Sequence, residues 1–196
     1  LGTVAVSVPG ADSFKQDTVG LPLPGVELKI VDQHNAGCVM DSGEEGVLLV
    51  RSDSMLDRYY DEVLDLRDGY FSTGDLAISD EDGYLRITGR LKQLIDIGGI
   101  KVNPLEVEMV LCEHPSVVEA VVLPFLQTET VTRLMAIVVL NPGEPAISAE
   151  ELRAYLGIHL SSIKVPRMFQ FVSTINKTPS GKVNRLELLK QWGGEL

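Results

Sequence analysis

Apolar and polar residues alternate through GVELKIVD (Gly25–Asp32), placing Val26, Leu28 and Ile30 on one face and predicting a strand. GVLLVRS (Gly46–Ser52) predicts a second strand, with glycine and proline punctuation such as LPLPG between the extended pieces. LAISDEDGYLRITG (Leu76–Gly89) predicts a hairpin turning at DEDG. The first half therefore predicts a small sheet or barrel.

The pattern changes after Gly89. VNPLEVEMVLCEHP (Val102–Pro115) predicts a helix, with Asn103 as N-cap, Pro104 at the first helical position and Glu106 placed to close a capping box. Leu105, Val107, Met109, Val110 and Leu111 supply its apolar side. VVEAVVLPF (Val117–Phe125) and TRLMAIVVL (Thr132–Leu140) predict buried strands. Ser148 with Glu151 predicts another capping box, opening a helix to about Leu160. RMFQFVS (Arg167–Ser173) predicts a strand, and a last helix is expected from near Ser180 toward Trp192. This order predicts an α+β fold: a small β-sheet or barrel subdomain over 1–89, then a compact α+β domain over 90–196, with the boundary near Arg90–Lys92.

Composition narrows the function classes. Of 196 residues, 17 are Lys or Arg and 28 are Asp or Glu, a net charge of −11. Nucleic-acid binders draw affinity from a basic field, so this balance argues against that role. The longest apolar runs are too short to cross a bilayer. Two distant cysteines, Cys38 and Cys112, suggest reduced thiols and a cytoplasmic protein. His34, His114 and His159 lack metal-ligand spacing, so no metal site is expected from them. The chain starts at Leu1 and reads at once as ordinary sequence, which suggests a fragment.

NKTPSGKVNR (Asn176–Arg185) places a lysine after a glycine, as phosphate loops do. It is not such a loop: Asn176 stands where the first glycine is required, and Val183 where a serine or threonine is required. A lysine in the first turn of the expected helix would meet the positive end of the helix dipole. YFSTGD (Tyr70–Asp75) reads as a hydroxyl-rich turn ending in a carboxylate able to accept from a ribose diol. GRLKQLIDIGGIKVNP (Gly89–Pro104) reads as a hinge followed by a glycine loop.

Together and in this order, STGD, DEDGYLRITGR, GRLKQLIDIGGIKVNPLEVE and KTPSGKVNR resemble the late motifs of the adenylate-forming superfamily, that is, acyl- and aryl-CoA synthetases, luciferases and peptide-synthetase adenylation domains. The resemblance covers nearly the whole chain. It implies that 1–89 is the end of a large AMP-binding domain and 90–196 its small C-terminal domain. It implies that Asp75 and Arg90 lie at the nucleotide ribose, that Lys92 is the hinge, and that Lys182 is the catalytic lysine of adenylation. Gly98 and Gly99 match the loop that lines the pantetheine path in thiol capture. Gln93 stands where the family usually has an acidic residue, and Asn176 where it usually has proline.

The family's phosphate loop, its magnesium-serving glutamate motif and most of the acyl pocket are not in this sequence. The implied whole protein is an AMP-forming acid–thiol ligase using ATP, Mg2+ and CoA or phosphopantetheine, with this chain inactive alone. A fatty or aromatic acid is the favoured substrate. An adenylation domain or acyl-carrier-protein ligase, and a non-catalytic nucleotide- or partner-binding module, are the alternatives.

Overall fold

The computed structural model describes residues 4–7, 14–35, 37–53, 55, 58–59, 62–63, 66–128 and 130–192. The chain divides into two compact units, Leu1–Lys92 and Gln93–Leu196.

The first unit is built from strands. They are β1 (Ala5–Val6), β2 (Leu21–Pro22), β3 (Val26–Val31), β4 (Gly46–Ser52), β5 (Arg58–Tyr59), β6 (Glu62–Val63), β7 (Leu66–Arg67), β8 (Tyr70–Ser79) and β9 (Leu85–Arg90). β3, β4 and β8 pair in that order, and β8 also pairs with both β7 and β9, making five antiparallel strands. The result is a curled sheet; no pairing closes it into a barrel among the described residues. Ile30, Leu48, Val50, Ala77 and Leu85 form its core, with Val26 and Leu28 packed against them. The alternating face of β3 thus falls where its pattern places it. The DEDG turn joins β8 to β9, and the Asp80 side chain ties it by accepting from the Asp82 and Tyr84 N–H groups.

The second unit contains β10 (Ile95–Ile97), β11 (Ile100–Val102), α1 (Pro104–Cys112), β12 (Val117–Thr128), β13 (Val131–Leu140), α2 (Ala149–His159), β14 (Met168–Val172) and α3 (Arg185–Trp192). β12 and β13 are antiparallel and β14 joins β13 in parallel, giving the order β12–β13–β14. Alternate residues of the central strands supply two cores. Val122, Leu134, Ala136 and Val138 meet Val107 and Leu111 of α1 and Leu152 and Leu156 of α2. Val121, Leu123 and Ile137 meet Ile175 and Leu188, the latter on α3. The sheet is thus covered on both faces, and the fold is α+β.

Two helix starts differ from the sequence pattern. Asn103 caps α1 by accepting from Leu105 N–H, but Glu106 reaches Lys164 instead of closing a box; both its oxygens accept from Nζ, at 2.6 and 2.7 Å. An ammonium is a charged partner for that carboxylate and binds it strongly. The last helix starts at Arg185, not near Ser180, because the preceding residues form a tight turn with Gly181 at φ +79°. The Ser148–Glu151 capping box is complete.

Leu156 is fully buried, so Leu156→Ala should destabilise the second unit by about 2–5 kcal/mol. The single tryptophan, Trp192, packs beside the α3 core, so its fluorescence during urea unfolding reports this loss.

Candidate functional site

STGD lies inside β8 rather than in a turn. The pairing of β8 with β4 breaks there: Val47 faces Leu76 while Leu49 faces Ser72, so Thr73–Asp75 bulge out opposite Leu48. Gly74 makes the bulge possible at φ +73°, and Thr73 closes it, donating to Leu48 O at 3.0 Å and accepting from Asp75 N–H at 3.0 Å. Asp75 then sits directly across from Arg90 of β9. Arg90 Nε lies 2.7 Å from Asp75 Oδ1. The contact is an ion pair without hydrogen-bond alignment, so buried Oδ1 accepts no hydrogen bond. Asp75 and Thr73 also line a concavity of about 430 Å³ whose apolar wall includes Leu48, Val50, Leu85 and Ile87.

Lys92 is exposed in a short 3-10 turn, Leu91–Gln93, where the first unit ends. Beyond it, β10 and β11 form a two-residue hairpin with Ile97 opposite Ile100. Its central pair, Gly98 and Gly99, has φ +62° and +91°, as a tight hairpin turn requires. Asp96 braces the turn: Oδ1 accepts from Gly99 N–H at 2.7 Å and Oδ2 from Lys101 Nζ at 2.7 Å. These bonds, Lys101 first, hold the Asp96 carboxyl below its ordinary range.

Lys182 is exposed on a second hairpin and makes no ion pair among the described residues. Lys177 and Val183 bridge its arms, Thr178 N–H donates to Lys182 O at 2.7 Å, and Asn184 N–H donates to Asn176 O at 3.0 Å. Lys182 precedes α3, so it does not meet the positive end of that helix.

Sequence reasoning missed the braces around this hairpin. Glu108, on the buried face of α1, accepts from Arg185 Nη2 at 2.6 and 2.7 Å and from Val122 N–H at 2.7 Å. Arg185 Nη1 donates to Val122 O at 3.0 Å. Burial pushes the Glu108 carboxyl above its ordinary value, opposed by Arg185 and the Val122 N–H. The signal for Glu108 was its place between Val107 and Leu111 on the buried face of α1.

Residues 106–182 match the family described as AMP-binding enzyme C-terminal domain. The chain is 36% identical to a 4-coumarate–CoA ligase-like protein of Arabidopsis thaliana, over 91% of this chain and 32% of that protein. It is 34% identical to a fatty acid–[acyl-carrier-protein] ligase, ScoC, of Streptomyces coeruleorubidus, over 97% of this chain and 37% of that protein. The chain belongs to the adenylate-forming superfamily. Among solved structures it is similar to ATP-bound MatB from Rhodopseudomonas palustris, with a TM-score of 0.83 and 27% identity, over 97% of this chain and 38% of that one. The chain spans about a third of the length of the curated relatives it matches.

No group of three or more His, Cys, Asp or Glu side chains is placed to hold a metal ion among the described residues. No helix among them is long and apolar enough to cross a membrane.

The space where a Gly99 Cβ would stand is open, so only its positive φ resists substitution. Gly99→Leu should therefore lower the melting temperature by several degrees, and Gly99→Asn, which tolerates this region, by less. Equal melting of the two would show that the turn relaxes. Because the folded Asp96 pKa is lowered, its bracing is present above about pH 4, near the unfolded value, and is lost as pH falls through the folded value. Amide exchange at Gly99 should accelerate, relative to Ile97, over that acid window, and Asp96→Asn should flatten the effect.

Proposed function

We propose that this chain is the C-terminal part of an AMP-forming acid–thiol ligase acting on a fatty or aromatic acid. The observation that carries it is the match of almost the entire chain to about a third of proteins named as CoA and acyl-carrier-protein ligases. In the first half-reaction a carboxylate oxygen attacks the α-phosphorus of ATP. The bond to the pyrophosphate oxygen breaks and acyl-AMP forms. In the second, a thiol loses its proton, its sulfur attacks the acyl carbon, and AMP leaves with the bonding pair.

The residues of each unit suit these roles. The Asp75 carboxylate, bulged out of β8 with an oxygen that accepts no hydrogen bond, suits the hydroxyls of a ribose, with Arg90 beside it. Lys182, exposed and without an ion partner among the described residues, supplies a donor to the charge developing as pyrophosphate leaves. Lys92, at the boundary between the units, is the pivot in this reading. The bare Gly98–Gly99 turn leaves room for a pantetheine arm, since open space meets every added Cβ there. CoA is the acceptor in this reading, with ATP and Mg2+ bound chiefly by residues outside this sequence; the free cysteines Cys38 and Cys112 suit a cytoplasmic setting. The similarity to an acyl-carrier-protein ligase supports a second reading, in which a carrier's phosphopantetheine takes the acyl group.

Lys182→Ala in the complete ligase should lower acid-dependent pyrophosphate release by about 10²–10³. Thioester formation from supplied acyl-adenylate should change little. Equal losses in both steps would assign the lysine a structural role. The 196-residue chain by itself should release no pyrophosphate with any acid, and robust turnover by it would overturn the reading.

A further inference from the structure

β12 is an edge strand among the described residues, where its only partner in the sheet is β13. An edge strand leaves every second peptide group without a ladder bond, and a covered one needs another partner. At Val122 that partner is a pair of side chains. Glu108 of α1 accepts from the Val122 N–H, Arg185 donates to the Val122 carbonyl, and the two are themselves joined through Nη2. Together they stand in for a missing neighbouring strand over one residue.

Arg185 lies three positions after Lys182, at the foot of its hairpin. The other arm is fastened to the same strand: Lys177 Nζ lies 3.0 Å from Glu119 Oε1. Both arms of the Lys182 hairpin are therefore pinned to β12, at Glu119 and at Val122, while Lys182 itself touches no counter-charge among the described residues. The turn itself is closed by Gly181 at φ +79°, by a Thr178–Ser180 hydroxyl bond of 2.9 Å and by the bonds between its arms, so its tie to the rest of the unit runs through these fastenings and the packing of Ile175 and Val183.

We propose that Glu108 and Arg185, with Lys177 and Glu119 as a second fastening, are positioning residues that aim Lys182 for adenylation. The proposal rests on the ligase reading above. A guanidinium reaches both the carboxylate and the carbonyl in one plane; an ammonium on a shorter stem cannot hold both in that geometry. Loss of either fastening lets the hairpin tilt, and small misplacements of a reacting group cost large factors in rate.

The experiment is a double-mutant cycle in the complete ligase, with both half-reactions and the melting temperature measured for each variant. Arg185→Lys and Glu108→Gln should each lower the adenylation rate about tenfold and leave thioester formation from supplied acyl-adenylate within about twofold. In a Lys182→Ala background the same substitutions should change adenylation less than about twofold, because the group they aim is gone. Full additivity in that background, or equal loss in both half-reactions, overturns the proposal. Should the buried variants fail to fold, Lys177→Ala supplies the same cycle from a half-exposed position; additivity there likewise overturns it. If Lys182→Ala alone leaves adenylation intact, the assignment of Lys182 fails first, and that result is distinct from any outcome of the cycle.

Discussion

The second unit depends on how a three-stranded sheet deals with its edge. Among the described residues β13 alone has a strand on each side, and the polar groups of β12 must be satisfied beneath two helices. Glu108 and Arg185 do this at Val122, and so bind α1, β12 and the start of α3 at one point. A buried ion pair adds little net stability over well-packed apolar groups, because desolvation opposes the attraction. Its removal by halves is another matter: an uncompensated buried charge costs about 3–5 kcal/mol. The pair therefore acts less as glue than as a constraint on which arrangement of α1, β12 and α3 is allowed.

Much of this architecture was legible in local pattern. Strand alternation placed the buried face of β3, and the Ser148–Glu151 box marked the start of α2. The misses share a physical cause. Glu106 left its expected box for a lysine 58 residues away, and Glu108 found an arginine 77 residues away. Periodicity sees neither partner. STGD read as a turn because its residue types favour turns, whereas tertiary pairing on both sides of β8 holds it in a strand and confines the irregularity to a bulge. Lys182 was placed on a helix because the pattern after Ser180 is helical; the positive φ of Gly181 delays the helix to Arg185. The candidate residues themselves stood out as motifs, but their bracing did not.

Charge gives the same site a second reading. With 28 acidic residues against 17 basic ones, carboxylates are abundant, and Lys15, Lys101, Lys164, Lys177 and Arg185 each pair with at least one. Lys182 does not, among the described residues. Its isolation is not a shortage of partners. The neighbouring cations Lys177 and Arg185 hold Glu119 and Glu108, and the lysine at the tip is left without an ion partner among the described residues.

The bulge in β8 has a consequence for how the first unit can vary. It separates the strand into two stretches, Tyr70–Ser72 against β4 and β7, and Asp75–Ser79 against β9, with Leu76 and Ala77 pairing with β4 again. A length change on the β7 side can be absorbed at the irregular Thr73–Gly74 step without sliding Asp75 along Arg90. The bulge is thus a slack link: it can take up a change in strand length while the carboxylate and its arginine stay in step.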